Sequence, residues 1–484
     1  MRQCIMFIDR PVMRYLSLGF FSLQSLWIAV SFRYPGIFDE SYHYGVIKYF
    51  TTVISPVVTS QPAYMDEYQN LAYGNASLYH YLLSMPLRLF ELFEFGTTTK
   101  IILLRVMNVA MVAVGLWLFA KTFDSLGIKK AFSNLMIVLY AFLPLSLLVA
   151  STISYDNLAF ALTGVMMFYG VRLQVKNPKI WIDAAIFLMA ALALSLVKFS
   201  MLPLSFAAIL YLGIVLFMDR KKLRPIAVHS RPNWRLVMLA AGTVVIATLF
   251  VLRYVVSEIK YGSVLPECNV VLTDARCRAG NLYAVEEATY GTRNDRPAEP
   301  PQQYALSWAK TVLLQLDTTA VTQKDTNKLL IGSAMPLNAL FLSLGVWIGA
   351  AGILLAWHRL PKNRAVYFVL TASVFYVAAV FAFNAMSYYR VHQEINTQAR
   401  YLLPVVPVFM VYAISSISML LGKNTRLKMT LLAGLLIVMA QGGGVVKPMI
   451  NSQPEWYFNN SPMTPVNDVL RENLKKVVIE RGLL

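Results

Sequence analysis

Residues 13–43 read MRYLSLGFFSLQSLWIAVSFRYPGIFDESYH. The run 13–32 is 20 mostly apolar residues, and a helix needs about 20 such residues to cross a bilayer. Arg33 and Pro35-Gly36 end the run, and an acidic pair, Asp39-Glu40, follows directly. The stretch therefore sets two carboxylates where a membrane helix leaves the lipid. It does not read as a cleavable leader, because it lacks a small-residue cleavage site and RYPGIFDE does not resemble a mature N-terminus.

Ten more apolar runs follow, at roughly 101–120, 132–150, 157–174, 181–197, 201–218, 236–256, 332–357, 366–384, 401–420 and 429–446. The fold class expected is an all-α polytopic membrane protein with about eleven transmembrane helices. Segment 78–93 is apolar but carries Arg88 and Glu91. It reads as an interfacial helix lying on the membrane, with a twelfth span as the alternative. Composition agrees. Of 484 residues, 57% are hydrophobic and 14% charged, whereas soluble domains carry about 25% charged residues. That excludes an ordinary soluble enzyme, and disorder is excluded because it needs low hydrophobicity. Three cysteines exclude a disulfide-dense scaffold and a Cys-rich zinc site. The five histidines, with no close pairing, exclude an HExxH metal helix.

The net charge of +18 suits a nucleic-acid binder only if the basic residues line one face. Their distribution follows the spans instead. With the N-terminus inside, the cytoplasmic pieces hold 20 Lys/Arg against three acids, and the outer segments hold 20 Lys/Arg against 21 Asp/Glu. This is the positive-inside pattern, so no nucleic-acid partner is expected, and the topology is N-in/C-out. The chain divides into an N-terminal transmembrane module, 1–256, with its first outer loop at 33–100. An outer loop at 257–330, C-terminal transmembrane helices at 331–446 and an outer tail at 447–484 complete it. In the tail, 465–480 has helical periodicity, with Val466, Val469, Leu470 and Val477 on one side. Cys268 and Cys277 share the outer loop, where an oxidising exterior would let them pair; the spacing leaves bonded and free thiols both open.

Unusual polar residues collect on the outer face: Asp39, Glu40 and His43, then Asp156-Asn157, Lys198, Arg390, His392, Glu394 and Arg400-Tyr401. Ionisable groups at such depth are functional candidates. A carboxylate such as Asp39 can take a proton from an attacking hydroxyl, or it can cap the helix 40–50. Lys198 either binds an anion or snorkels to headgroups. Arg400 can hold a phosphate with its planar fork. Asp156 either orients a cation or caps the following span, with Asn157 as the rival cap. His43 lies one turn after Glu40 and either orients it, binds an acceptor, or is a surface histidine. The many tyrosines between 42 and 81 fit sugar stacking or the membrane interface.

These residues resemble the GT-C glycosyltransferase superfamily, and within it a bacterial polytopic family related to the protein O-mannosyltransferases and the aminoarabinose transferases. Phe38-Asp39-Glu40-Ser-Tyr-His43 resembles its Pro-Asp-Glu-x-x-His run, and 76–83 its Pro-x-Tyr-Tyr-type segment. Ser154-Tyr155-Asp156 resembles its Ser-x-Asp turn, and Val197-Lys198-Phe199 its Lys turn. Gln398-Ala-Arg-Tyr-Leu-Leu-Pro404 resembles its Gln-Gly-Arg-Tyr-x-Leu-Pro run. Phe38 stands in place of Pro and Ala399 in place of Gly, and 257–330 shows no second acidic motif of the oligosaccharyltransferase kind.

The resemblance implies an inverting transfer of a sugar from a polyprenyl-phosphate donor to an extracytoplasmic glycan, lipid or protein acceptor, in a bacterial plasma membrane. Asp39 would be the general base, with Glu40 beside it in the catalytic pair. His43 and Asp156 would contact the acceptor, while Lys198, Arg400 and Tyr401 would hold the donor phosphate. No cofactor is required and no metal ligands are assigned; a divalent metal is not expected, but metal dependence is left open. Partners are the donor, the acceptor and membrane lipids. Rival readings are a lipid-linked glycan transporter or flippase, a glycan polymerase or ligase, and a membrane assembly factor. A carrier needs polar groups near mid-membrane, where this chain has few.

Overall fold

A computed structural model gives the fold. It describes residues 8–58, 77–174, 180–218, 234–279, 298–322, 329–333, 349–351, 353–355, 363–392, 394, 397–422, 424–442, 444–445, 449, 456–458 and 464–480. The N-terminal half contains α1 (Pro11–Ser31), α2 (Glu40–Thr51), α3 (Leu78–Leu92), α4 (Thr97–Ser125), α5 (Lys130–Ala141), α6 (Pro144–Ala150), α7 (Tyr155–Arg172), α8 (Ile180–Val197) and α9 (Leu202–Met218). Next comes α10 (Trp234–Phe250), which runs on through a π turn at Val251–Val255 into Val256–Tyr261. Short helices α11 (Cys268–Val271) and α12 (Asp274–Ala279) precede α13 (Pro301–Leu316). A two-stranded antiparallel hairpin, β1 (Thr318–Thr322) with β2 (Leu329–Ser333), interrupts the helices. The rest is α14 (Arg364–Val391), α15 (Val406–Leu420), α16 (Thr425–Gly442) and α17 (Thr464–Glu480).

Among the described residues, five helices are long and apolar enough to cross a membrane, or six if one bent pair is counted as a span. The chain is thus a multi-pass membrane protein. Several of the expected spans differ from this set for physical reasons. Helices α1 and α7 have the length, but part of it is buried polar surface: Arg14, Ser17, Gln24 and Ser25 in one, Asp156, Asn157 and Thr163 in the other. The expected span 132–150 is two helices meeting at 78°, broken where Leu143 is extended and Pro144 starts α6. The expected span 401–420 is shortened to α15 because a 3-10 turn, Ala399–Leu402, takes its start. Residues 332–333 of the expected span 332–357 belong to β2, and most of that segment lies outside the described residues.

The core is a helical bundle around α4 and α7. These two approach closely at Gly115 and Gly164: a Cβ on Gly115 would stand 2.5 Å from the Phe160 ring, and one on Gly164 would stand 3.0 Å from the Gly115 carbonyl oxygen. Small residues permit such crossings in membrane bundles. Ion pairs fix the end of the bundle away from residue 39: Arg14 reaches Asp124 at 2.8 and 2.9 Å, and Arg172 reaches Asp183 at 2.9 Å. At the other end, α3 buries Tyr79, His80, Leu83 and Leu87 and exposes Leu82, Met85, Leu89 and Leu92. Cys268 and Cys277 form a disulfide. In the tail, Trp456–Phe458 lies along residues 31–33, with Arg33 N donating to the Trp456 carbonyl at 2.9 Å and Phe458 N to the Ser31 carbonyl at 3.0 Å.

Overpacking a membrane crossing costs about 1–3 kcal/mol. Gly115→Val is therefore expected to lower the thermal midpoint of the detergent-solubilised protein. An unchanged midpoint would mean that α4 and α7 can move apart freely.

Candidate active site

The loop between α1 and α2 is held from its interior side. Arg105, on the first turns of α4, is wholly buried. Its Nε donates to Glu40 Oε1 at 2.7 Å and its Nη2 to Glu40 Oε2 at 2.6 Å. The remaining N–H groups reach the carbonyls of Ala29, Phe32 and Arg33 at 3.2, 2.5 and 2.9 Å. Glu40 also accepts from Gly36 N at 2.7 Å and Ile153 N at 3.0 Å. A Cβ on Gly36 would collide with Glu40 Oε2 at 2.8 Å, so this bend needs glycine. Both carboxylate oxygens are thus saturated, as a buried charge requires. Glu40 does not reach the open side of the site; it anchors the loop.

Asp39 points the other way, with its side chain 53% exposed. It and Phe38 both take left-handed backbone angles, φ 60° and 59°, which non-glycine residues rarely adopt. That kink turns neighbouring carboxylates in opposite directions. Arg400 secures it: the guanidinium lies 5.0 Å from the Phe38 ring centroid, and Nη2 donates to Asp39 Oδ2 at 3.3 Å. Asp39 does not cap α2 through its side chain.

Arg400 is buried in the 3-10 turn before α15. Gln315 of α13 clamps that turn, accepting from Ala399 N at 2.7 Å and donating to the Thr397 carbonyl at 2.8 Å. Lys198 sits in the break between α8 and α9 and donates to Asp156 Oδ1 at 2.5 Å. Its ammonium lies 4.0 Å from the Tyr401 ring centroid and 4.5 Å from that of Tyr155, an aromatic slot suited to a cation. It is buried, so it does not snorkel. Burial lowers its pKa to about 8, against the opposing pull of Asp156. Asp156 Oδ2 stands 3.9 Å from Arg400 Nε, so one carboxylate serves two cations. The cap of α7 is Ser154, whose hydroxyl accepts from Asp156 N. Arg400 Nε and Nη1 are buried with no hydrogen-bond partner. A guanidinium with buried donors that make no hydrogen bond, beside a buried ammonium, has the chemistry to receive an anion.

His43 is buried as well, its Nδ1 2.9 Å from His80 Nε2. Burial, with His80, Arg400 and Lys198 nearby, lowers the pKa of His43, and burial takes His80 to about 3. The pair is neutral, one ring donating to the other. The structure therefore brings Asp39, Asp156, Lys198, Arg400 and Tyr401 together and sets Glu40 and His43 behind them. Glu394 is exposed and accepts from Thr311, away from this group. Arg105, His80 and Tyr155 were not singled out from the sequence. Arg105 carried a usable signal, being an arginine inside an apolar run.

Removing one partner of a buried ion pair costs about 3–5 kcal/mol. Arg105→Met should reduce the folded yield in detergent and lower the melting point. Adding Glu40→Gln, which keeps an acceptor for the Gly36 and Ile153 amides, should restore part of the loss. A double variant as unstable as the single one would show that the Arg105–carbonyl bonds, not the buried charge, hold the loop.

No family model and no curated protein matches the chain. Among solved structures, the chain is similar to ArnT from Cupriavidus metallidurans bound to undecaprenyl phosphate, at 12% identity and a TM-score of 0.47, over 98% of this chain and 73% of that one. Apo ArnT gives 13% and 0.45, over 95% and 71%. The apo oligosaccharyltransferase of Archaeoglobus fulgidus gives 14% and 0.43 over 95% of this chain, which spans only 58% of that enzyme.

Proposed function

We propose that the protein is a membrane glycosyltransferase that moves a sugar from a polyprenyl-phosphate donor to a hydroxyl on an extracytoplasmic acceptor, with inversion. The observation that carries this reading is the buried Lys198–Arg400 pair: Arg400 Nε and Nη1 have no hydrogen-bond partner, and an accessible carboxylate, Asp39, lies 3.3 Å from Arg400 Nη2. The anion that such a pair accepts is the phosphate of the donor. As the bond between the anomeric carbon and the phosphate oxygen breaks, charge develops on that phosphate, and the two cations stabilise it where it forms. The acceptor oxygen attacks the anomeric carbon from the opposite face, and Asp39 takes its proton. Asp156 and Tyr401 position Lys198, and Asp156 also faces Arg400. The two cations meet the leaving group's charge, so the step is written without a divalent metal.

The bond from Arg400 to Asp39 orients the base without closing it off, since half of the carboxylate remains open. The reaction needs both ends of this arrangement. The motif resemblance and the disulfide in the 257–330 region, which suits an oxidising compartment, support an extracytoplasmic site. A transporter would use the same phosphate pocket but has no use for an exposed carboxylate beside it.

Two measurements test this. Asp39→Asn should lower kcat by at least about 100-fold, the scale of general-base contributions, while donor affinity stays within a few-fold. Full turnover in that variant would remove the base from the scheme. The second is pH dependence. Lys198 binds an anion only as an ammonium, and its pKa is lowered to about 8. The phosphodiester donor carries one charge across this range, so its affinity should be steady below that pH. It should fall as pH rises through about 8, approaching tenfold per unit. Lys198→Arg should move that break upward, and a break unmoved by the substitution would place the titrating group elsewhere.

A further inference from the structure

We propose that α17, near the C-terminus, is a lipid-contacting helix that lies in the membrane interface at the site end of α1. Depth comes from α1 itself. Leu16, Phe20 and Leu23 form an exposed apolar stripe along it, at 54%, 39% and 70% exposure, and the next residue on that stripe by helical spacing is Trp27. An apolar stripe on a membrane helix faces acyl chains. Trp27 Nε1 donates to Asn467 Oδ1 of α17 at 2.8 Å, and Asn467 Nδ2 donates to Ser31 Oγ at 3.1 Å. Trp27 also stacks on Trp456, ring centroids 5.5 Å apart. So α17 is fastened across the top of the lipid-facing stripe, within the last turns of α1.

The faces of α17 fit that position. Asn467 is buried against α1, whereas Val466, Val469 and Leu470 stand open at 47%, 59% and 38%. Helical spacing sets Val466 and Leu470 on one face and Glu472 on the opposite side, with Val469 at the boundary between them. The helix thus has a protein side, an apolar side continuous with the α1 stripe, and a polar side. Three such sides in one helix match the corner where protein, lipid and water meet. Acidic and basic residues are mixed along α17, so burial of apolar surface, not attraction to anionic headgroups, drives the contact. The occupant of the open face is the boundary between headgroups and acyl chains. The proposal is independent of sugar transfer.

The test uses the full chain in phosphatidylcholine nanodiscs, with Cys4→Ser to leave one free thiol. A nitroxide is placed at Leu470→Cys and, as a control, at Glu472→Cys on the opposite side of the helix. Collision with oxygen, which partitions into lipid, is compared with collision with a water-soluble nickel chelate. The ratio of oxygen to nickel collisions should be several-fold higher at 470 than at 472. Equal ratios at the two positions would put the apolar face in water and overturn the proposal. Protection of 470 from both reagents would also overturn it, because protein, most simply a second copy of this chain, would then cover the face.

Discussion

The ion pair between Arg105 and Glu40 is the constraint on which the loop at the site depends. A guanidinium brought into an apolar bundle must satisfy five N–H groups, and here two go to Glu40 and three to carbonyls at the end of α1. Those carbonyls belong to residues leaving a helix, which have lost their own partners. The arginine therefore solves two problems together: it neutralises a buried carboxylate and it ends α1 inside protein. The tail segment 456–458 completes the arrangement by pairing with residues 31–33 and setting the Phe458 ring 5.0 Å from the guanidinium.

With Glu40 fixed inward, the chain geometry settles the direction of Asp39. Two consecutive left-handed residues reverse the backbone over a very short length, and each costs about 1–3 kcal/mol in a non-glycine residue. The contacts of Arg400 with Phe38 and Asp39 offset that cost. Adjacent carboxylates thereby divide the work: one is saturated and structural, the other half-exposed and chemically available. A loop without the Arg105 anchor would have no reason to hold this kink.

The division shows what could be read from the sequence. The membrane class was legible because long apolar runs have one physical solution, and the grouping of Asp39, Asp156, Lys198 and Arg400 was legible because polar residues gathered at span ends. The count of spans was less so. Polar side chains buried between helices lower the apolarity of α1 and α7 without removing the helices, and Pro144 turns one apolar run into two. The role of Glu40 was hidden for a different reason. Its partner lies 65 residues away, and an Asp-Glu pair carries no mark of which carboxylate faces inward. The His43–His80 contact was equally out of reach, since neither histidine has a partner near it in sequence.

The remaining question is how two cations can sit side by side before any phosphate arrives. Asp156 answers it on one side, bonded to Lys198 and 3.9 Å from Arg400; Asp39 answers it on the other. Together they hold the positive charge in a low-dielectric pocket. In the proposed transfer an arriving phosphate would not have to displace Asp156, because Arg400 Nε and Nη1 make no hydrogen bond. It would compete with Asp39 for Arg400, so in the proposed transfer the arrival of the donor would release that carboxylate from its partner.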